Sequence, residues 1–95
     1  MCLSYRSEAE AAKVVVAACH AAGVEARAVP ADVSSPDDVA ALFQAADRLG
    51  RVAALVNNAG IADHPLRVDE LPPERILRMT AVNLVGPFLC AGEAV

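Results

Sequence analysis

The stretch that most constrains what this chain can fold into is Ala53-Ala54-Leu55-Val56-Asn57-Asn58-Ala59-Gly60. It is an apolar run that stops at two amides, a small residue and a glycine. Ala53 to Val56 show no polar alternation, which suits a strand covered on both faces, as parallel strands in α/β domains are. Asn57 and Asn58 then carry donors and acceptors to the carboxyl end of that strand. Ala59 and Gly60 keep the backbone bare enough for a ligand to approach closely. In open α/β sheets, ligands bind beyond the carboxyl ends of the strands.

Helix and strand patterns alternate along the rest of the chain, without repeats, low-complexity tracts or a linker, which argues for βαβ units. Cys2 to Ser4 reads as the tail of a strand. Ser7-Glu8-Ala9-Glu10 has the spacing of a capping box, in which the Ser7 hydroxyl accepts from the amide of Glu10 and the Glu10 carboxylate reaches back. A helix is predicted from about Glu8 to Ala22, favoured by its alanines and stopped by Gly23. Arg27 to Val29 reads as a short strand ending near Pro30. Ser35-Pro36-Asp37-Asp38 opens a second helix, with Ser35 as cap, proline at the first position and acids facing the positive dipole end. That helix should end at Gly50 and bury Val39, Leu42, Phe43, Ala46 and Leu49, which recur at three and four residues. A polar loop with Asp63, His64 and Pro65 follows. Pro72-Pro73 then opens a third helix holding Ile76, Leu77, Met79, Val82 and Leu84, which runs to the chain end with a kink at Pro87. Proline has no N–H, so the carbonyl of Asn83 loses its helical partner.

Asn57-Asn58-Ala59-Gly60 in this setting resembles the signature of the short-chain dehydrogenase/reductase family. Tyr5-Arg6-Ser7-Glu8, the Ala31-Asp32-Val33 step and Thr80-Ala81-Val82-Asn83-Leu84 occur in that family's order and at about its spacings, so the resemblance runs from end to end. It implies a partial, doubly wound Rossmann-type α/β unit over residues 1–95, with about three parallel strands and three helices, that binds NADP or NAD. The complete form would move hydride between the nicotinamide and an alcohol or carbonyl compound, and would be a homo-oligomer. The family's glycine-rich Thr-Gly-x-x-x-Gly-x-Gly loop and its Tyr-x-x-x-Lys pair are not in this sequence. Tyr5 is the only tyrosine and Lys13 the only lysine. The resemblance is therefore to an interior piece of a family member. The family's strand order places the absent first strand between the strand ending at Ser4 and the one ending at Val56.

Residue by residue, the resemblance implies the following roles. Asn83 is the one member of the catalytic set present, and its backbone carbonyl holds a water that links the catalytic lysine to solvent. Asn57, Asn58, Ala59 and Gly60 wall the adenosine ribose. Asp32 accepts from the adenine amino group, and the backbone of Val33 completes that contact. NAD-preferring relatives carry an acid where Tyr5 stands. Here Arg6, beside the Ser7 hydroxyl, can pair with the extra phosphate of NADP, which implies NADP preference or use of both cofactors. Each residue also has a plainer reading: Arg6 as a surface arginine beside a helix start, Asp32 as a turn former, Asn83 as a solvated residue in a proline-bent helix. Asp63 and His64 invite an acid–base reading, but no nucleophile lies near them in sequence. His20 reads as a helix-surface residue.

Composition sets outer bounds. A 95-residue chain with 56% hydrophobic and 21% charged residues is one globular unit rather than a disordered segment. A net charge of −4, with no basic cluster, argues against a nucleic-acid partner. No run of about eighteen apolar residues could span a bilayer, and the amino end lacks a signal-peptide pattern, so the expected address is the cytoplasm. Cys2, Cys19 and Cys90 have neither Cys-x-x-Cys spacing nor a neighbouring histidine pair, so neither disulfides nor a metal site are expected; they read as reduced, buried small apolar residues. A rival reading is that the chain as it stands is a non-catalytic truncated fragment, or an interaction module.

Overall fold

The computed structural model describes all 95 residues. Two short parallel strands, β1 (Cys2–Tyr5) and β2 (Arg27–Pro30), pair in register from Cys2 opposite Arg27 to Tyr5 opposite Pro30. The connection between them is helix α1 (Ala9–Ala21), as a parallel pair requires. Helix α2 (Pro36–Asp47) follows β2, and both α1 and α2 pack on the two strands. After a long extended segment come a short 3-10 turn (Val68–Glu70), helix α3 (Pro73–Thr80), a π turn (Ala81–Val85) and helix α4 (Gly86–Ala94). Helix α4 packs on α2. No helix is long and apolar enough to cross a membrane.

Most local signals act as the sequence predicts. Ser35 caps α2, its hydroxyl accepting from the Asp38 amide at 3.3 Å, with Pro36 in the first turn. Gly23 takes a φ of +77° beyond the end of α1, a left-handed stop that a β-carbon would penalise. The capping box at Ser7 does not form. Helix α1 starts with Glu8 as its cap, so Glu10 stands one place too early to reach back, and its carboxylate instead pairs with Lys13 at 2.8 Å.

The core is small and sits between α2 and α4. Val39, Phe43 and Cys90 form it, with Val33, Val52, Leu89 and Ala94 packed around them. Of the stripe predicted on α2, Val39 and Phe43 are buried, whereas Leu42, Ala46 and Leu49 are only half-buried. Those three line a cleft of about 620 Å³ with Cys2 and Leu3 on one side and residues 51–56 on the other. Cys90 is the one buried cysteine; Cys2 and Cys19 are half-buried.

The same cleft explains where the expectation for Ala53 to Val56 fails. These residues form no strand and are exposed, Val56 to 82%. A strand exists through the backbone hydrogen bonds of a neighbour, and the edge of β1 turned toward this segment has none to offer at pairing distance, since the sheet contains only β1 and β2. The shape follows. The molecule measures 50 × 28 × 18 Å with a radius of gyration of 15.1 Å, against roughly 12 Å for a compact domain of this length.

Candidate functional site

The carboxyl ends of β1 and β2 bring the first two candidate groups together. Tyr5 closes β1 opposite Pro30, and the Ala31 amide donates to the Tyr5 carbonyl at 2.9 Å, which carries the pairing one residue beyond the strand and sets Asp32 beside Arg6. Arg6 Nε lies 3.7 Å from Asp32 Oδ2, with the arginine side chain 62% exposed and the aspartate 26%. Ser7 is exposed next to them and its carbonyl accepts from the Ala9 amide.

Asp32 is the most heavily bonded side chain of the molecule. Its Oδ1 accepts from the Ser34 amide at 2.9 Å and from the Ser34 hydroxyl at 2.6 Å, and its Oδ2 accepts from Arg78 Nη2 at 2.9 Å. Arg78 Nη1 also donates to the Ser34 hydroxyl oxygen at 2.8 Å. The Asp32 amide donates to Asp38 Oδ2 at 2.8 Å, fastening the turn to the first turn of α2. The Ser34 hydroxyl, with help from the Ser34 amide and Arg78, holds the Asp32 carboxyl at about 2 against the opposing effect of burial. An anion is thereby secured at this strand end over the whole physiological range.

Val33 turns its side chain inward against the core rather than toward the site. It lies directly under Gly86: a β-carbon on that glycine would come within 2.8 Å of Val33 Cγ2 and 3.2 Å of its carbonyl oxygen. Gly86 is there because helix and turn approach too closely for any side chain.

Asn57 to Gly60 lie in an exposed extended segment, with the Asn58 amide bonded to the Val56 carbonyl at 3.1 Å. The structure brings the end of this segment to Asn83. The Asn83 side-chain amide grips the Ile61 backbone at both ends, accepting from its N–H at 2.8 Å and donating to its carbonyl at 2.8 Å, and Asn83 Oδ1 stands 3.5 Å from where a Gly60 β-carbon would be. Asn83 sits inside the π turn, where the ladder widens and the Gly86 amide bonds back to the Ala81 carbonyl. The helix irregularity thus begins ahead of Pro87, and Asn83, though exposed, uses its side chain as a clamp on the loop.

Asp63 and His64 do meet, His64 Nδ1 lying 2.9 Å from Asp63 Oδ1, and both side chains are exposed along a cavity of about 650 Å³ that Arg75, Arg78 and Met79 also line. Arg75 donates to the His64 carbonyl, and its buried Nε sits 2.9 Å from Asp63 Oδ2 at an ion-pair distance without hydrogen-bond alignment. The His64 amide, with the Arg75 charge adding, lowers the Asp63 carboxyl. His20 Nε2 is 3.3 Å from the Ala26 carbonyl. No group of three or more His, Cys, Asp or Glu side chains gathers that could hold a metal ion.

Sequence reasoning missed Arg78, Ser34 and Asp38. The available signal was periodicity. Arg75 and Arg78 fall on the same helical face as Met79 and Val82, and a charge on an apolar stripe calls for a partner.

The chain's overall fold is shared with known proteins. The short chain dehydrogenase family matches residues 1–95. An uncharacterized oxidoreductase of Escherichia coli, YgfF, is 40% identical over 98% of this chain and 38% of its own length. 3beta-hydroxysteroid dehydrogenase 1 of Eggerthella lenta is 42% identical over 97% of this chain and 35% of its own. The crystal structure of a short chain dehydrogenase from Burkholderia cenocepacia in complex with NADP superposes with a TM-score of 0.91 at 32% identity, over 98% of this chain and 38% of that one. The chain therefore belongs to the short-chain dehydrogenase/reductase family of oxidoreductases, and it spans a little over a third of the length of the relatives it matches.

Proposed function

We propose that this chain supplies the adenosine-side wall, and one member of the catalytic set, of an NAD(P)-dependent oxidoreductase that interconverts an alcohol and a carbonyl compound. The observation that carries the reading is the meeting of Arg6 and Asp32 at the adjacent carboxyl ends of two parallel strands. There an exposed guanidinium could pair with a ribose phosphate while a carboxylate held by Ser34 and Arg78 could accept from the base. Arg6, with Tyr5 and the Ser7 hydroxyl, would hold the phosphate of NADP. Asp32 and the backbone of Val33 would hold adenine, and Asn57, Asn58, Ala59 and Gly60 would line the ribose. The residues present fit this end of the cofactor: Arg6 is exposed, Asp32 is anionic, and the Asn57 to Gly60 backbone is open to approach. When bound, the nicotinamide group supplies the hydride donor or acceptor. Asn83 contributes by holding the loop at Ile61 and by offering a backbone carbonyl that Pro87 cannot cap. Leu77, Leu84 and Phe88, exposed by 70%, 55% and 73%, support self-association of the whole protein.

Cofactor titration by calorimetry tests this. In a complete version of the enzyme, Arg6→Ala should weaken NADP more than NAD by about 1.5–3 kcal/mol, as for a hydrogen bond to a charged group; equal losses would reject the assignment. The open cleft beside β1 and the sparse core favour a second reading, a 95-residue chain that does not itself turn over. Reduction of carbonyl compounds, followed at the reduced nicotinamide absorbance band and abolished by Asn83→Ala, would overturn that second reading.

A further inference from the structure

Arg78 lies 46 residues from Asp32 in sequence, yet its guanidinium fork closes on Asp32 and Ser34 together. An arginine has donors only, so where it bonds to the Ser34 oxygen, the Ser34 hydroxyl must spend its single proton elsewhere. That proton goes to Asp32 Oδ1, at 2.6 Å. A carboxylate offers about four acceptor positions. With Oδ1 taken by the amide and hydroxyl of Ser34 and Oδ2 by Arg78, three are filled and one remains, on Oδ2. Arg6 stands toward it at 3.7 Å, too far to fill it with a hydrogen bond.

We propose that Arg78 is a positioning residue of the adenosine site, which orients Asp32 so that its one open acceptor position on Oδ2 selects a base bearing an exocyclic amino group. The proposal rests on the assignment of Asp32 to the adenine contact made above. Arg78 reaches Asp32 Oδ2 from α3 and fills one of its acceptor positions, so it constrains the carboxylate while the other position on that oxygen stays open. Without the fork, the Ser34 hydroxyl is free to turn and Oδ2 is free to accept from water or from Arg6. The turn itself stays in place through the Asp32 amide bond to Asp38. The predicted loss is therefore of selectivity between bases more than of the fold.

The probes are adenosine 2′-phosphate and inosine 2′-phosphate, in which an oxygen replaces the amino group, titrated into the 95-residue chain and followed by the amide resonance of Val33. The chain should favour the adenosine probe by about tenfold or more, the lower end for a hydrogen bond to a charged group. In Arg78→Met the preference should fall below about threefold, and the Asp32 carboxyl should titrate at higher pH. Arg78→Lys should recover part of the Asp32 shift but little of the selectivity, because an ammonium cannot grip two oxygens in a fixed plane. If Arg78→Met fails to fold, Ser34→Ala removes the hydroxyl that the fork grips and should show the same collapse of preference. Retention of the wild-type preference in either folded variant would overturn the role of Arg78 while leaving the adenine assignment intact. A wild-type chain that binds both probes equally, or neither, would overturn the adenine assignment and the proposal with it.

Discussion

The contact between Gly86 and Val33 can be tested by making one substitution at two places in the same helix. Gly86 and Gly92 both lie in α4, so replacing either with alanine gains intrinsic helix propensity, up to about 1 kcal/mol in a helix interior and less near the end where Gly92 stands. Their surroundings differ. A β-carbon at Gly92 meets nothing within 4 Å, whereas at Gly86 it would meet Val33 Cγ2 at 2.8 Å and the Val33 β-carbon and carbonyl oxygen at 3.2 Å each. Rotating the valine can relieve only the first of these, because the other two belong to the backbone and its root. Overpacking of this kind costs about 1–3 kcal/mol, which exceeds the propensity gain. Gly92→Ala should therefore stabilise the helical structure by about 0.5 kcal/mol. Gly86→Ala should destabilise it by up to about 2 kcal/mol and loosen the turn that carries Asp32. Urea titrations followed by circular dichroism at 222 nm give the ranking, and amide exchange at Val33 and Ser34 shows whether the turn has moved. Gly86→Ala as stable as Gly92→Ala, with unchanged exchange at Val33, would show that the helix and the turn are not in contact.

Acid should act through Asp32, whose carboxyl is held at about 2 against 3.8 in a free chain. Its stabilisation is fully present above about pH 3.8 and lost as the pH falls through about 2, amounting to about 1–2 kcal/mol once partial exposure is allowed for. Urea titrations of the wild type and Asp32→Asn from pH 5 to 2 should converge toward low pH, and parallel curves would contradict the assignment. Asn83→Ala removes both bonds to the Ile61 backbone; exchange of the Ile61 amide should accelerate about tenfold, for a local loss of about 1–2 kcal/mol, and an unchanged rate would dismiss the clamp. The cleft lined by Leu3, Leu42, Phe43 and Leu55 should bind an apolar fluorescent dye, with broad, weakly cooperative thermal unfolding. A sharp monomeric melt without dye binding would mean that residues 53–56 had found a partner strand.

Local chemistry made much of this legible from residues alone. Ser35 and Pro36 start α2, Gly23 ends α1, and Val39 and Phe43 repeat at helical spacing into the core, because each such signal is satisfied within a few residues of itself. The ordered motifs likewise placed Arg6, Asp32, Asn57 to Gly60 and Asn83 in one family, and the parallel pairing of β1 and β2 then set Arg6 beside Asp32. Ala53 to Val56 could not be settled that way. Apolar composition makes a strand favourable, but only a neighbouring backbone makes it form, and β1 lies across a cleft from it. The start of α1 shows the same limit at smaller scale, since one residue of shift removed the Ser7 capping box. Arg78 is the converse case: its sequence neighbours say nothing of Asp32, and only the packing of α3 against the turn after β2 turns a charge on a half-buried stripe into the grip on a carboxylate. Sequence determined the elements and the chemical groups they carry, because those depend on near neighbours. Tertiary structure decided which acceptors stay open and which strand stays unpaired, because both depend on residues far away along the chain.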